Sequence, residues 1–105
     1  MRVGVVFPQT ELGGDVGAVR AYAEGVDGLG YHSVWVVEQV LGRIRSLEPV
    51  ELLTYAAALT ERVRLGAAVL LTALRSPVHL AKSLGTLDQL SGGRLIAGVG
   101  LGGNV

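Results

Sequence analysis

Four short runs rich in valine, leucine and isoleucine alternate with three longer stretches of helical period, and this alternation restricts the chain more than any other feature. Strands separated by helices of this length read as βαβ units, whose crossovers place neighbouring strands parallel and right-handed. Val3 to Phe7 is nearly continuous in apolar residues, as a strand covered on both faces should be. Ser33 to Val37, Val63 to Leu71 and Leu95 to Val99 supply the other strands.

The helices carry their own start and stop signals. Asp15 is placed as an N-cap, Val19, Tyr22, Ala23, Val26 and Leu29 form one stripe, and Gly30 stops the first helix. Glu38 to Leu47 reads as an irregular connection, and Pro49 fits the first turn of the second helix. Val50, Leu53, Ala57 and Leu59 form the apolar face of that helix. Ser76 followed by Pro77 opens the third helix, Val78, Ala81, Leu84, Leu87 and Leu90 line its expected buried face, and Ser91-Gly92-Gly93 ends it.

The order βαβαβαβ suits two architectures: an open doubly wound sheet, or four strands of a (β/α)8 barrel whose full length is about 250 residues. With 105 residues, 50% of them hydrophobic, the chain is expected to be a single segment, four strands and three helices over 1–105, with no second domain. Nine basic and nine acidic residues cancel, which argues against nucleic acid or an anionic membrane as partner. The N-terminus lacks the apolar region of a signal peptide, and no run is long enough to span a membrane. A cytoplasmic location is the expectation. With no cysteine there is neither a disulfide framework nor a thiolate metal site.

In either architecture the chemistry belongs at the C-terminal ends of the strands. Those positions are Phe7-Pro8-Gln9, Glu38-Gln39, Leu71-Thr72 with Arg75 beyond, and Gly98 to Asn104. A carboxylate at Glu38 could act as a base or bind a hydroxyl, or could equally sit in a loop ion pair with Arg43 or Arg45. Gln39 can donate and accept hydrogen bonds but moves no proton. The glycines at 98, 100, 102 and 103 match neither phosphate-loop spacing, so they read as a close approach of backbone to a flat ring or as a tight turn. Arg75 is the cationic candidate, with Glu38 or Asp88 as alternative partners. His79 stands alone on its helix and makes no metal site.

The run R-S-P-V-x-L-A-K-x-L-x-T-L-D-x-L-S-G-G-R-L-x-x-G-V-G-x-G from Arg75 to Gly102 resembles the luciferase-like monooxygenase family, and especially its deazaflavin-dependent branch. Gly30-Tyr31-x-Ser33-x-Trp35 and Thr60-Glu61-Arg62-Val63-Arg64-Leu65-Gly66 agree with it. The resemblance implies the N-terminal half of a (β/α)8 barrel, with FMN or a deazaflavin (coenzyme F-420) in its mouth supporting hydride transfer or oxygen activation. It implies a non-proline cis peptide at Ala68–Val69 against the ring, with Phe7, Gly98, Gly100 and Gly102 as further cofactor contacts. Glu38 and Gln39 then occupy the catalytic positions, and Arg75 and Asn104 the substrate-binding ones. Many family members carry His where this chain has Gln39, and the family's phosphate site comes from later strands. The chain by itself is therefore expected not to hold cofactor tightly. A small-molecule substrate is expected, as is a homodimer or larger oligomer covering the bare sheet edges. A catalytically inactive, self-associating half-barrel is the alternative. An open-sheet nucleotide-binding module ranks third, since the glycines after the first strand come late.

Overall fold

The computed structural model describes residues 1–38 and 47–101. Strands β1 (Gly4–Val6), β2 (Ser33–Val36), β3 (Arg64–Leu71) and β4 (Leu95–Gly100) alternate with helices α1 (Val16–Gly28), α2 (Pro49–Leu59) and α3 (Pro77–Leu90). All neighbouring strands are parallel, in the spatial order β1-β2-β3-β4. Strictly sequential order is that of a barrel wall. An open doubly wound sheet would instead reverse direction at a switch point.

The caps fall where the side chains dictate. Asp15 accepts a hydrogen bond from the Ala18 amide at 3.1 Å and Ser76 from the His79 amide at 3.4 Å, while Pro49 and Pro77 open α2 and α3. Gly30 follows α1 at φ 81°, and Gly92 and Gly93 follow α3 at 69° and 81°, a region where a Cβ is penalised. The irregular segment after Glu38 falls largely on residues 39–46, outside the described ones. A 3-10 turn, Thr72–Leu74, follows β3.

The two faces of the sheet differ sharply. Register places Val5, Val34, Leu65 and Leu95 in one row, and Val36 beside Ala67 in the next row of the same face. These pack against the helices, and Val34, Val36, Leu65 and Ala67 are buried. The intervening row, Val6, Trp35, Gly66 and Ile96, belongs to the opposite face. No helix among the described residues covers that face, and Val6 is 64% exposed there.

Three expected stripes are corrected. Leu29 is exposed because it lies past the last helical residue of α1. On α2 the buried set is Pro49, Leu52, Leu53, Ala56 and Ala57, with Val50 and Leu59 only half-buried. On α3 the inward residues are Leu80 and Leu87 with Leu84 half-buried, whereas Val78, Ala81 and Leu90 are exposed. Apolar residues occupy so much of the α3 circumference that its periodicity fits two stripes, and packing against α2 and β4 selects one.

Two polar ties fix the end of the layer opposite the strand C-termini. The Asp27 carboxylate accepts hydrogen bonds from the amides of Glu61, Arg62 and Val63 at 3.0, 2.9 and 2.8 Å. Arg94 donates five hydrogen bonds: to Ser91 O, to Thr60 Oγ1 and Val63 O, and to Ala57 O and Thr60 O. Partial burial pushes the Asp27 carboxyl upward, but the three amides and the Arg62 charge outweigh it and hold it below the ordinary aspartate range. Its stabilising effect is thus complete above the unfolded value of about 3.9 and disappears as pH falls through the lower folded value. Asp27→Asn is expected to cost about 1–2 kcal/mol at neutral pH. In urea titrations its stability and that of the unmodified chain should converge below the ordinary aspartate range.

Candidate cofactor-facing site

The C-terminal ends of the strands carry a buried polar clamp. Glu38, just past β2, has a side chain with 0% exposure. One carboxylate oxygen accepts from the Leu71 amide at 2.6 Å and from Arg75 Nε at 3.3 Å, and the other pairs closely with Arg75 Nη2. Arg75 also lies 3.6 Å from Glu48. The expected base at Glu38 and the expected substrate cation at Arg75 are thus partners of one another. Of the open choices for Arg75, the structure realises Glu38. Hydrogen bonding to Glu38 raises the already high Arg75 pKa, so the guanidinium stays charged.

Gln9 forms a second clamp that periodicity does not reveal. It is 3% exposed. Its Nε2 donates to Val37 O at 2.9 Å and Leu47 O at 3.0 Å, while the Val37 amide donates to Oε1 at 2.7 Å. One neutral amide side chain thereby links the end of β1, the exit of β2 and the approach to α2.

Beside these clamps the β3–β4 pairing is irregular. Ala67 pairs with Ala97 and Leu70 with Val99, so β3 carries one extra residue across that interval, a bulge. The Ala68–Val69 peptide bond within it is cis, as the family resemblance implied. Ala68 and Val69 are both exposed, Val69 by 39%.

The glycines of β4 have a reason within the chain. A Cβ on Gly98 would collide with the Ala67 carbonyl oxygen, and one on Gly100 would meet Val69 Cγ2 at 2.9 Å. The bulge already occupies the space those glycines leave. Deeper on the same open face, a Cβ on Gly66 would come within 2.5–2.7 Å of the Trp35 ring. The indole therefore lies across Gly66, and its Nε1 donates to Ser33 Oγ at 2.9 Å.

Phe7 is corrected as a cofactor contact. Its ring is 2% exposed and packs on Tyr22 of α1 with centroids 4.9 Å apart, on the helix side of the sheet. Gln39, Gly102 and Asn104 lie outside the described residues. Among the described residues no group of three or more His, Cys, Asp or Glu could hold a metal ion, and no helix is long and apolar enough to cross a membrane.

Sequential parallel strands, helices on one side and a bulged, glycine-lined strand end on the other define the N-terminal half of a (β/α)8 barrel. The family model for luciferase-like monooxygenases matches residues 1–105. The chain belongs to that family. It is 37% identical over 81 residues to 4-hydroxyprotoasukamycin monooxygenase from Streptomyces nodosus subsp. asukaensis, covering 76% of this chain and 22% of that protein. The oxygenating constituent of 3,6-diketocamphane monooxygenase from Pseudomonas putida, solved in complex with FMN, superposes with a TM-score of 0.86. Identity to it is 25%, over 99% of this chain and 30% of that one. The coenzyme F-420-dependent tetrahydromethanopterin reductase from Methanopyrus kandleri shares the fold, with a TM-score of 0.74, 22% identity, and coverage of 98% of this chain and 27% of that one. The chain thus spans between about a fifth and a third of the length of these relatives.

Proposed function

We propose that this chain supplies the ring-facing half of an oxidoreductase mouth that takes FMN or a deazaflavin and acts on a small molecule by hydride transfer or oxygen activation. One observation carries the reading: the exposed Ala68–Val69 bulge, with Gly98 and Gly100 behind it, forms a side-chain-poor apolar ledge at the strand ends of a sheet face that no helix among the described residues covers. A flat heteroaromatic ring fits such a ledge, and when bound it would bring the redox chemistry that none of these side chains has.

The phosphate end of the cofactor fits less well. Among the described residues the guanidinium at this mouth is Arg75, and Glu38 and Glu48 already neutralise it. These described residues therefore hold the ring and contribute little to the phosphate. Glu38 acts here as a positioning residue: its carboxylate fixes Leu71 at the end of β3 and keeps Arg75 turned toward it, leaving Arg75 limited capacity for a substrate anion. Gln39, next in sequence, is the neutral donor and acceptor assigned to the mouth, with Gly102 and Asn104 following β4. A histidine's proton-transfer role is not ascribed to Gln39.

Trp35 is the single tryptophan and lies on the open face, so its emission reports a ring arriving there. Titration with FMN and with coenzyme F-420 is expected to quench it, with a dissociation constant weaker than micromolar. Micromolar affinity in this chain alone would contradict so small a phosphate contribution.

A further inference from the structure

Beyond β1 the backbone stops pairing with β2 and a side chain takes its place. The Phe7 amide makes the last regular ladder bond, to Trp35 O at 2.7 Å. A parallel ladder would next send the Val37 amide to the Phe7 carbonyl, but that carbonyl accepts the Gln9 amide at 2.8 Å instead. Pro8 between them has no N–H to give. The Gln9 carboxamide supplies both partners that a continued β1 would have offered Val37: Oε1 accepts from its amide at 2.7 Å and Nε2 donates to its carbonyl at 2.9 Å. Unlike a peptide group, the carboxamide has a second N–H, and that one reaches Leu47 O at 3.0 Å. A position only 3% exposed that must accept once and donate twice suits a carboxamide and excludes a carboxylate.

Each residue that Gln9 grips is followed by a carboxylate. Glu38 comes after Val37 and Glu48 after Leu47, and Arg75 pairs with both of them. Glu38 also accepts from the Leu71 amide, just past the Ala68–Val69 bulge of β3. We propose, building on the ring-facing reading of that bulge, that Gln9 is a positioning residue of the mouth. Its single carboxamide sets the spacing of Glu38 and Glu48 about Arg75, and through Glu38 it holds the end of β3 that presents the ledge. Gln9 acts at a distance: it is buried, and its side chain bonds only the backbone of Val37 and Leu47 among the described residues.

Gln9→Glu keeps the shape and the bond from the Val37 amide but turns an acceptor toward two carbonyls. At neutral pH the Leu71 amide and Arg75 Nε–H signals of an isotope-labelled chain are expected to move. Riboflavin, which carries the ring without the phosphate, is expected to quench Trp35 with a dissociation constant about fivefold higher than for the unmodified chain. As pH falls the new carboxyl takes a proton and regains one donor. Both readouts should then return toward those of the unmodified chain at the same pH, a comparison that cancels any titration common to the two. A residue that merely stabilised the fold would lower the unfolding midpoint and leave both readouts in place, and that result would overturn the proposal. Riboflavin failing to bind the unmodified chain would overturn the ring-facing reading, whereas the clamp is judged on the Leu71 and Arg75 signals: moved signals support it and unmoved ones overturn it. Should Gln9→Glu not fold, hydrogen exchange of the unmodified chain decides. The Val37 and Leu71 amides must then open with the same free energy across a urea series, and unequal opening would overturn the positioning role.

Discussion

Arg75→Ala is expected to lower the unfolding free energy by about 3–5 kcal/mol, the cost typical of stranding one member of a buried ion pair. The reason lies in the unequal burial of the two partners. Glu38 has a side chain with 0% exposure, whereas Arg75 retains 22% and has Glu48 in reserve at 3.6 Å. Removing Arg75 leaves a buried carboxylate with little beyond the Leu71 amide. Removing Glu38 leaves a partly hydrated cation with a second carboxylate close by, so Glu38→Ala should cost less, about 2 kcal/mol. The order of the two variants in urea unfolding, at fixed protein concentration and with unchanged slope, checks this. A larger loss for Glu38→Ala would show that the Leu71 amide bond, rather than the ion pair, dominates the clamp.

Arg94→Ala comes second, at about 3 kcal/mol, for a different reason. Its five N–H groups all donate to neutral oxygens: four backbone carbonyls and the Thr60 hydroxyl. Two of those carbonyls, Ala57 and Thr60, belong to the end of α2, where the negative end of the helix dipole favours a cation. Truncation leaves several half-buried acceptors without partners. Arg94→Lys should recover only part of the loss, because three donors on one point cannot reach acceptors spread across α2, α3 and β3. Full recovery by lysine would mean that charge alone matters and the fork geometry does not. Since these domains have only about 5–15 kcal/mol in hand, either alanine variant removes a large share of the stability.

Arg94 also marks the limit of what the sequence makes legible, whereas the Arg75–Glu38 pair is among the partners the sequence offers. Strand and helix order, the Asp15 and Ser76 caps, the prolines that open α2 and α3 and the glycine stops follow from local chemistry, and the structure has them. Gln9, Asp27 and Arg94 each act across some thirty residues of chain, on backbone groups that leave no trace in periodicity. Phe7 shows another limit. In a strand apolar on both faces, alternation does not say which residue points at the helices, and it is its neighbour Val6 that faces the open side. The glycines at 98 and 100 show a third. Their spacing alone suggests room left for a ligand, but the chain's own Ala67 carbonyl and Val69 side chain take up that space. What remains for a ring is the surface of the bulge itself.

The proposed division of the sheet into a helix-packed face and a ring-facing face can be tested residue by residue. An isotope-labelled sample titrated with FMN, followed by amide chemical shifts, should show the largest changes at Ala68, Val69, Gly98 and Gly100 and smaller ones at Val6 and Trp35. Changes confined to the apolar groove of about 280 Å3 between α1 and α2, around Val16, Leu52 and Tyr55, would place the ring in the helix layer and contradict the assignment.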